Sequence, residues 1–200
     1  MAKYILCIGM IILLSCNSDT TPKPNGYPRI ERESISAVSY NNGHISFYYP
    51  SDATVKEEQR KDEGGQKEIW FNIIYRQFHA KIFCTYIQTP KSKLPELIED
   101  SRHLAYSHMA KSSGILQTDY ENPSSGVYGK LYTIEGDVAS PLQFYMTDNR
   151  SNFLRGALYF DQQINIDSVQ PVISFIKDDI AQVMETARWN FVELQSRANP

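Results

Sequence analysis

The chain is expected to fold as an α+β domain, a mostly antiparallel sheet of about seven strands packed with two main helices. Three observations lead there. Short stretches rich in Tyr, Phe, Ile and Val alternate apolar and polar residues with period two. Two longer stretches, 94–110 and 168–188, carry apolar residues at spacings of three and four instead, the stripe of a helix lying on a core. The connections between strand-like segments are mostly of hairpin length, which joins neighbouring strands antiparallel. Each amphipathic helix must then bury its stripe against sheet, giving a layered domain.

Residues 1–15 read as a lipoprotein signal peptide. Lys3 supplies the positive charge, and Tyr4 to Leu14 is an uncharged apolar run too short to cross a bilayer as a helix. The sequence Leu13-Leu14-Ser15-Cys16 resembles the bacterial lipobox, in which a small residue precedes a cysteine that is lipidated and becomes the new N-terminus. Cys16 is therefore the expected lipidation site. Residues 16–35 hold Pro22, Pro24 and Pro28 among Ser, Thr and Gly, and read as an extended tether behind the lipidated cysteine. A single α+β domain is expected over 36–192, and a frayed tail over 193–200.

Within the domain, Ile45-Ser46-Phe47-Tyr48-Tyr49-Pro50 reads as a strand stopped by proline. The segment before it, Arg29 to Tyr40, is polar and reads as an irregular arm. Asp52 to Lys67 is charged and contains a Gly pair, so it reads as a loop. Ile69 to Tyr75 and Ala80 to Ile87 are apolar on both parities, as expected of central strands covered on both faces, with Arg76-Gln77-Phe78-His79 as their turn. Leu94, Leu97, Ile98, Ser101, Leu104, Ala105 and His108 form the stripe of the first helix, with Pro95 in its first turn. Ile115 to Tyr120 and Val127 to Glu135 are strands divided by the turn 122–126. The final helix, Ser168 to Arg188, has Asp167 as N-cap, Pro171 in its first turn, and Val172, Ile173, Ile176, Ile180, Val183, Met184 and Ala187 as its stripe.

The stretch Ala139 to Phe160 gives the sharpest register argument. Leu142, Phe144 and Met146 alternate with Gln143, Tyr145 and Thr147; the turn Asp148 to Asn152 follows; Leu154, Leu158 and Phe160 then alternate with Phe153, Arg155, Ala157 and Tyr159. Pairing Leu142 with Leu158 and Met146 with Leu154 gathers the apolar residues on one face, and a one-residue slip would place Met146 opposite Arg155. In the favoured register Phe144 lies across from Gly156, which leaves room for the ring. Tyr145 then lies across from Arg155, where a guanidinium–ring contact is worth about 0.5–1 kcal/mol if exposed. Tyr145, Asp148 and Arg155 are the candidate partner-contact residues on the opposite face.

Composition narrows the function. The net charge is −3 over 200 residues, and removal of residues 1–15 takes away only Lys3, leaving 19 basic against 23 acidic side chains. No basic field invites nucleic acid. Once Cys7 leaves with the signal and Cys16 carries lipid, Cys84 stands alone in an apolar run, so the expectation is a buried thiol and no intrachain disulfide. There is no G-x-S-x-G, P-loop, H-E-x-x-H or C-x-x-C motif. His103 and His108 project about 140° apart on one helix and do not share a metal from it. Asp178-Asp179 reads as a solvated helix face, and Glu135 and Asp137 as turn residues around Gly136. No catalytic residue, metal or cofactor is expected.

Several stretches taken together resemble the GldD family of gliding-motility lipoproteins of the Bacteroidetes. They are the Cys16 lipobox, Thr21-Pro22-Lys23-Pro24-Asn25-Gly26-Tyr27-Pro28-Arg29-Ile30, Phe47-Tyr48-Tyr49-Pro50, Trp70-Phe71-Asn72-Ile73-Ile74-Tyr75 and Ala105-Tyr106-Ser107-His108. Above all they include Gln143-Phe144-Tyr145-Met146-Thr147-Asp148 with Phe153-Leu154-Arg155-Gly156-Ala157-Leu158-Tyr159-Phe160. The resemblance covers nearly the whole chain after the signal. It implies a cell-envelope lipoprotein acting in gliding and in the machinery linked to type IX secretion, with other envelope proteins as partners, an inner-membrane protein among them, and a periplasm-facing position. It implies no catalytic residues. The order of strands and helices also resembles the Mog1/PsbP-type α/β/α sandwich at the level of fold. Two readings of function follow: a non-enzymatic accessory or scaffold subunit, and, as the alternative, an envelope ligand-binding module or hydrolase with a site near the Asp148–Arg155 turn.

Overall fold

The computed structural model describes residue 32 and residues 35–63, 66–161 and 166–190. The predicted signal peptide, Cys16, nearly all of the tether and the tail 193–200 lie outside the described residues. The chain forms β1 (Ala37–Asn41), β2 (Ile45–Pro50), β3 (Thr54–Glu63), β4 (Gln66–Tyr75), β5 (Ala80–Gln88), α1 (Leu94–Tyr106), β6 (Ser112–Asn122), β7 (Val127–Gly136), β8 (Leu142–Thr147), β9 (Asn152–Phe160), α2 (Ile166–Thr186) and β10 (Arg188–Trp189). Seven strands make one antiparallel sheet in the order β3-β4-β5-β9-β8-β7-β6, and β1-β2-β10 make a small second sheet.

The α+β class with a seven-stranded antiparallel sheet and two helices is as the sequence predicts. The register of β8 and β9 is as well: Phe144 pairs with Gly156, Tyr145 with Arg155 and Met146 with Leu154. The β4–β5 turn is the short 3-10 turn Arg76–Phe78 closed by His79 in the left-handed region.

The helices lie on opposite faces. α2 packs Ile173, Ile176, Ile180, Val183 and Met184 into the main core with Phe71, Ile82, Leu131, Phe144 and Met146. The small sheet joins it on that face through Ile45, Phe47 and Trp189, and the Phe47 and Phe71 rings stack 6.1 Å apart. α1 covers the other face, where Ala105 meets Tyr132 and Ile134, and Leu94 meets Ile87 and Phe153.

Five expectations are corrected. The stretch inside Asp52 to Lys67 is not a loop but contains β3, an edge strand paired to β4 with a bulge between Glu57 and Gln59. Its charges are the solvated dress of a sheet edge. The arm before Tyr40 ends in β1, paired to β2. β4 is covered on one face only, and β5 is covered on its second face only at Ile87 under Leu94: Ile69, Phe71, Ile73, Ile82, Cys84 and Tyr86 are buried, while Trp70 and Phe83 on the other parity are exposed. α1 stops at Tyr106, so half-buried His108 sits in the following turn and not on a helical stripe. α2 starts at Ile166, which places Pro171 inside the helix, and it ends at Thr186 so that Arg188 and Trp189 can pair with β2.

Candidate functional site

The β8–β9 turn follows from its first residue. Asp148 is 5% exposed, and its Oδ1 accepts the backbone N–H groups of Arg150, Ser151 and Asn152 at 2.8, 2.8 and 2.9 Å. Its Oδ2 accepts from Asn152 Nδ2 at 2.7 Å, and Asn149 adopts φ 57° at the tip. Both carboxylate oxygens are thus spent on the turn, as Asx chemistry predicts. Asp148→Ala is expected to cost about 1–2 kcal/mol in urea unfolding, because these donors must turn to water in a partly buried site; Asp148→Asn, which keeps an acceptor for the three N–H groups, should recover most of it.

Tyr145 and Arg155 are cross-strand partners, but the structure does not place them on an open surface with Asp148. α1 crosses their face of the sheet. The Tyr145 ring stacks on Phe153 with centroids 5.9 Å apart, and burial raises its hydroxyl above its ordinary value. Arg155 is half-buried beside Ser101, Leu104 and Gln143, around a crevice of about 10 Å³. That volume holds about one water. The expected exposed guanidinium–ring contact is replaced by the Tyr145–Phe153 stack, and the partner-contact role expected of Tyr145, Asp148 and Arg155 loses its geometric support.

The open part of this face lies beside α1. Trp70 on β4, Phe83 on β5 and Tyr159 on β9 are 41%, 49% and 38% exposed. The rungs Trp70–Thr85, Phe83–Ala157 and Lys81–Tyr159 set the three rings on one face in a diagonal line. Phe83 and Tyr159 meet edge to face at 5.7 Å. Ion pairs border the line: Lys81 with Asp161 at 2.7 Å, and Lys56 with Glu58 at 3.2 Å. An apolar strip inside a charged border is the anatomy of a protein contact. Sequence reasoning missed it because a solvent-facing aromatic and a buried one have the same side chain; the signal available was that β3, next to β4, carries Val55 as its one apolar residue.

A second cluster joins distant parts of the chain. Arg32 donates Nε and Nη2 to the two oxygens of Asp52 at 2.8 and 2.7 Å, and Nη1 to Asp179 Oδ1 at 2.9 Å. Asp179 is 7% exposed, which corrects the expectation of a solvated Asp178-Asp179 face; Asp178 alone is exposed. Burial acts to lower the Arg32 guanidinium, but the bonds to two carboxylates outweigh it and hold the group above its ordinary value. Asp179 shares that cation with Asp52, and burial keeps its carboxyl above the usual range despite the pull of Arg32. Cys84 is buried, and burial drives its thiol far up, as befits packing. Among the described residues no group of three or more His, Cys, Asp or Glu side chains is placed to hold a metal ion, and no described helix is long and apolar enough to cross a membrane.

These features define a layered α+β domain with one face of its sheet covered and the other covered in part. The chain belongs to the gliding motility lipoprotein GldD family, whose model matches residues 17–189. It is thus a gliding-motility-associated lipoprotein, membrane-anchored in the cell envelope, and its family is one of motility lipoproteins and not a known enzyme family. No curated protein matches the chain. It is similar to the solution structure of cyanobacterial PsbP from Synechocystis, at 13% identity and a TM-score of 0.42, over 80% of this chain and 98% of that one.

Proposed function

We propose that the protein is a non-enzymatic accessory or scaffold subunit of the gliding and type IX secretion-linked machinery, facing the periplasm, which holds an envelope protein against its sheet. The observation that carries this reading is the half-covered face with Trp70, Phe83 and Tyr159 exposed in line. The occupant that fits is an amphipathic helix of the partner. Strands lie about 4.8 Å apart, so the three uncovered strands offer a strip about 14 Å wide, and a helix with its side chains is about 10–12 Å across. Such a helix would lie beside α1 and complete the layer. Both described ends of the chain are tied to the other side, Arg32 to Asp179 of α2 and Trp189 to β2.

A photoreactive residue placed at Phe83 in the full-length protein, irradiated in native membranes, is expected to crosslink an envelope protein. The same residue at Leu116, which is 55% exposed on the opposite face, is expected not to. Adducts that are absent at both sites, equal at both, or made only of the protein with itself or with lipid would overturn the reading. The alternative site at the Asp148–Arg155 turn is disfavoured by the committed carboxylate and the single-water crevice described above.

A further inference from the structure

A second crevice lies at the other end of the core face, where the small sheet meets the β3–β4 hairpin. It encloses about 250 Å³ and is lined by His44, Arg60, Lys61, Lys67 and Ile69. Its polar lining is entirely basic. Glu57 lies at its border and takes Nε and Nη2 of Arg60 at 2.9 and 3.0 Å, which leaves Nη1. Lys67 makes no ion pair with a described residue.

His44 is the unusual member. The residue is 8% exposed, and its ring makes no hydrogen bond to a described residue, so its nitrogens are left to the crevice. The ring is nonetheless held in place, stacked on Tyr86 with centroids 5.4 Å apart. Tyr86 donates its hydroxyl to Asn152, which donates in turn to Asp148, so the β8–β9 turn supports the stack. The Asn42 Oδ1, accepting the N–H groups of His44 and Ile45, fixes the backbone beneath it. Burial, then Lys67 and Arg60, keep the imidazole below its ordinary value, so at neutral pH it is uncharged and can donate one N–H.

A donor held rigidly by its stack and opening onto a void among cations calls for an acceptor that carries negative charge. The donors reach the void from different directions: His44 from the small sheet, Arg60 from β3 and Lys67 from β4. A planar carboxylate meets one guanidinium edge, as Glu57 already does here, whereas a tetrahedral oxyanion offers oxygens to all three. We propose that this crevice binds a phosphate group, with His44, Arg60 and Lys67 as its donors. The source is either free phosphate or a phospholipid headgroup, and the site is independent of the partner-binding reading.

The test uses the full-length mature chain carrying Cys16→Ala, so that no acyl chain contributes. Inorganic phosphate is expected to move the His44 ring resonances saturably, while chloride at matched ionic strength does not. Lys67→Glu, a substitution on an accessible hairpin position, is expected to weaken the effect at least tenfold with the circular dichroism unchanged. In the second arm, phosphatidylglycerol vesicles are compared with phosphatidylcholine vesicles. Retention on the former that is lost in Lys67→Glu, without a response to inorganic phosphate, assigns the group to a lipid headgroup; a response to inorganic phosphate alone assigns it to free phosphate. No response in either arm, an equal response to chloride, or an undiminished response in Lys67→Glu overturns the proposal.

Discussion

Gly156→Ala is expected to destabilise the domain by about 2–3 kcal/mol, read as a fall in the urea midpoint at unchanged m-value. A Cβ at this position would stand 2.3 Å from Phe144 Cε1 and 2.5 Å from its Cζ, with Ile82 Cγ2 at 3.2 Å. Phe144 is 2% exposed beneath α2, so the ring cannot swing into solvent. Alanine restricts the unfolded chain and returns about 0.4–1 kcal/mol, which offsets only part of the overlap. The same substitution in a Phe144→Leu background should lose most of its cost, because the atoms it strikes are gone; neighbours that share a cavity couple in this way. Gly129→Ala supplies the contrast. Its Cβ would meet the Tyr145 carbonyl oxygen at 2.2 Å, and no trimming of Phe144 relieves a backbone contact. Equal penalties for Gly156→Ala in both backgrounds would show that the glycine serves the strand and not the ring.

That pair also shows what kind of information the sequence carries. The Phe144–Gly156 rung was legible because β8 and β9 are adjacent in the chain, and their alternation permits one register without burying Arg155. The Asx turn was legible for the same reason, since Asp148 bonds residues within four positions of itself. The function assigned to that turn was not, because its geometry uses up the carboxylate locally. β3 escaped notice because Val55 is its one apolar residue on the core, so Thr54–Glu63 shows no period two. The exposed line Trp70–Phe83–Tyr159 is set by where α1 begins, with Leu94 over Ile87 and Phe153 and the helix running from there toward β7, rather than by anything in β4 or β5. The crevice at His44 needs two sheets to be brought together. Local pattern fixes neighbours, and the candidate surfaces here arise between elements that are not neighbours in sequence.

Arg32 is the extreme case, 147 residues from Asp179, and its loss is expected to have the largest effect. Arg32→Met keeps apolar bulk over the Phe175 ring, which lies 6.0 Å from the guanidinium carbon, but leaves Asp179 buried without its cation. Breaking one side of a buried pair costs about 3–5 kcal/mol. Asp52 suffers less, since it is 28% exposed and retains Gln77 Nε2 at 2.9 Å. The pH dependence separates this cause from simple loss of packing. Asp179 has a folded-state value already above its ordinary 3.8. Between those two values the native state binds the proton more tightly than the unfolded chain does, so stability falls as pH rises through the window. Removing Arg32 removes the larger of the interactions that oppose this shift and leaves the Tyr75 hydroxyl, so the window widens upward and the fall steepens. The gap between the parent and Arg32→Met should therefore be largest at neutral pH and narrow toward pH 4. Asp179→Asn in the variant should restore much of the loss at neutral pH and flatten the profile. A gap that is constant with pH, or an Asp179→Asn double variant no better than Arg32→Met, would assign the effect to packing on Phe175. If the charge explanation holds, the ion cluster is the weld by which the end of the predicted tether grips α2.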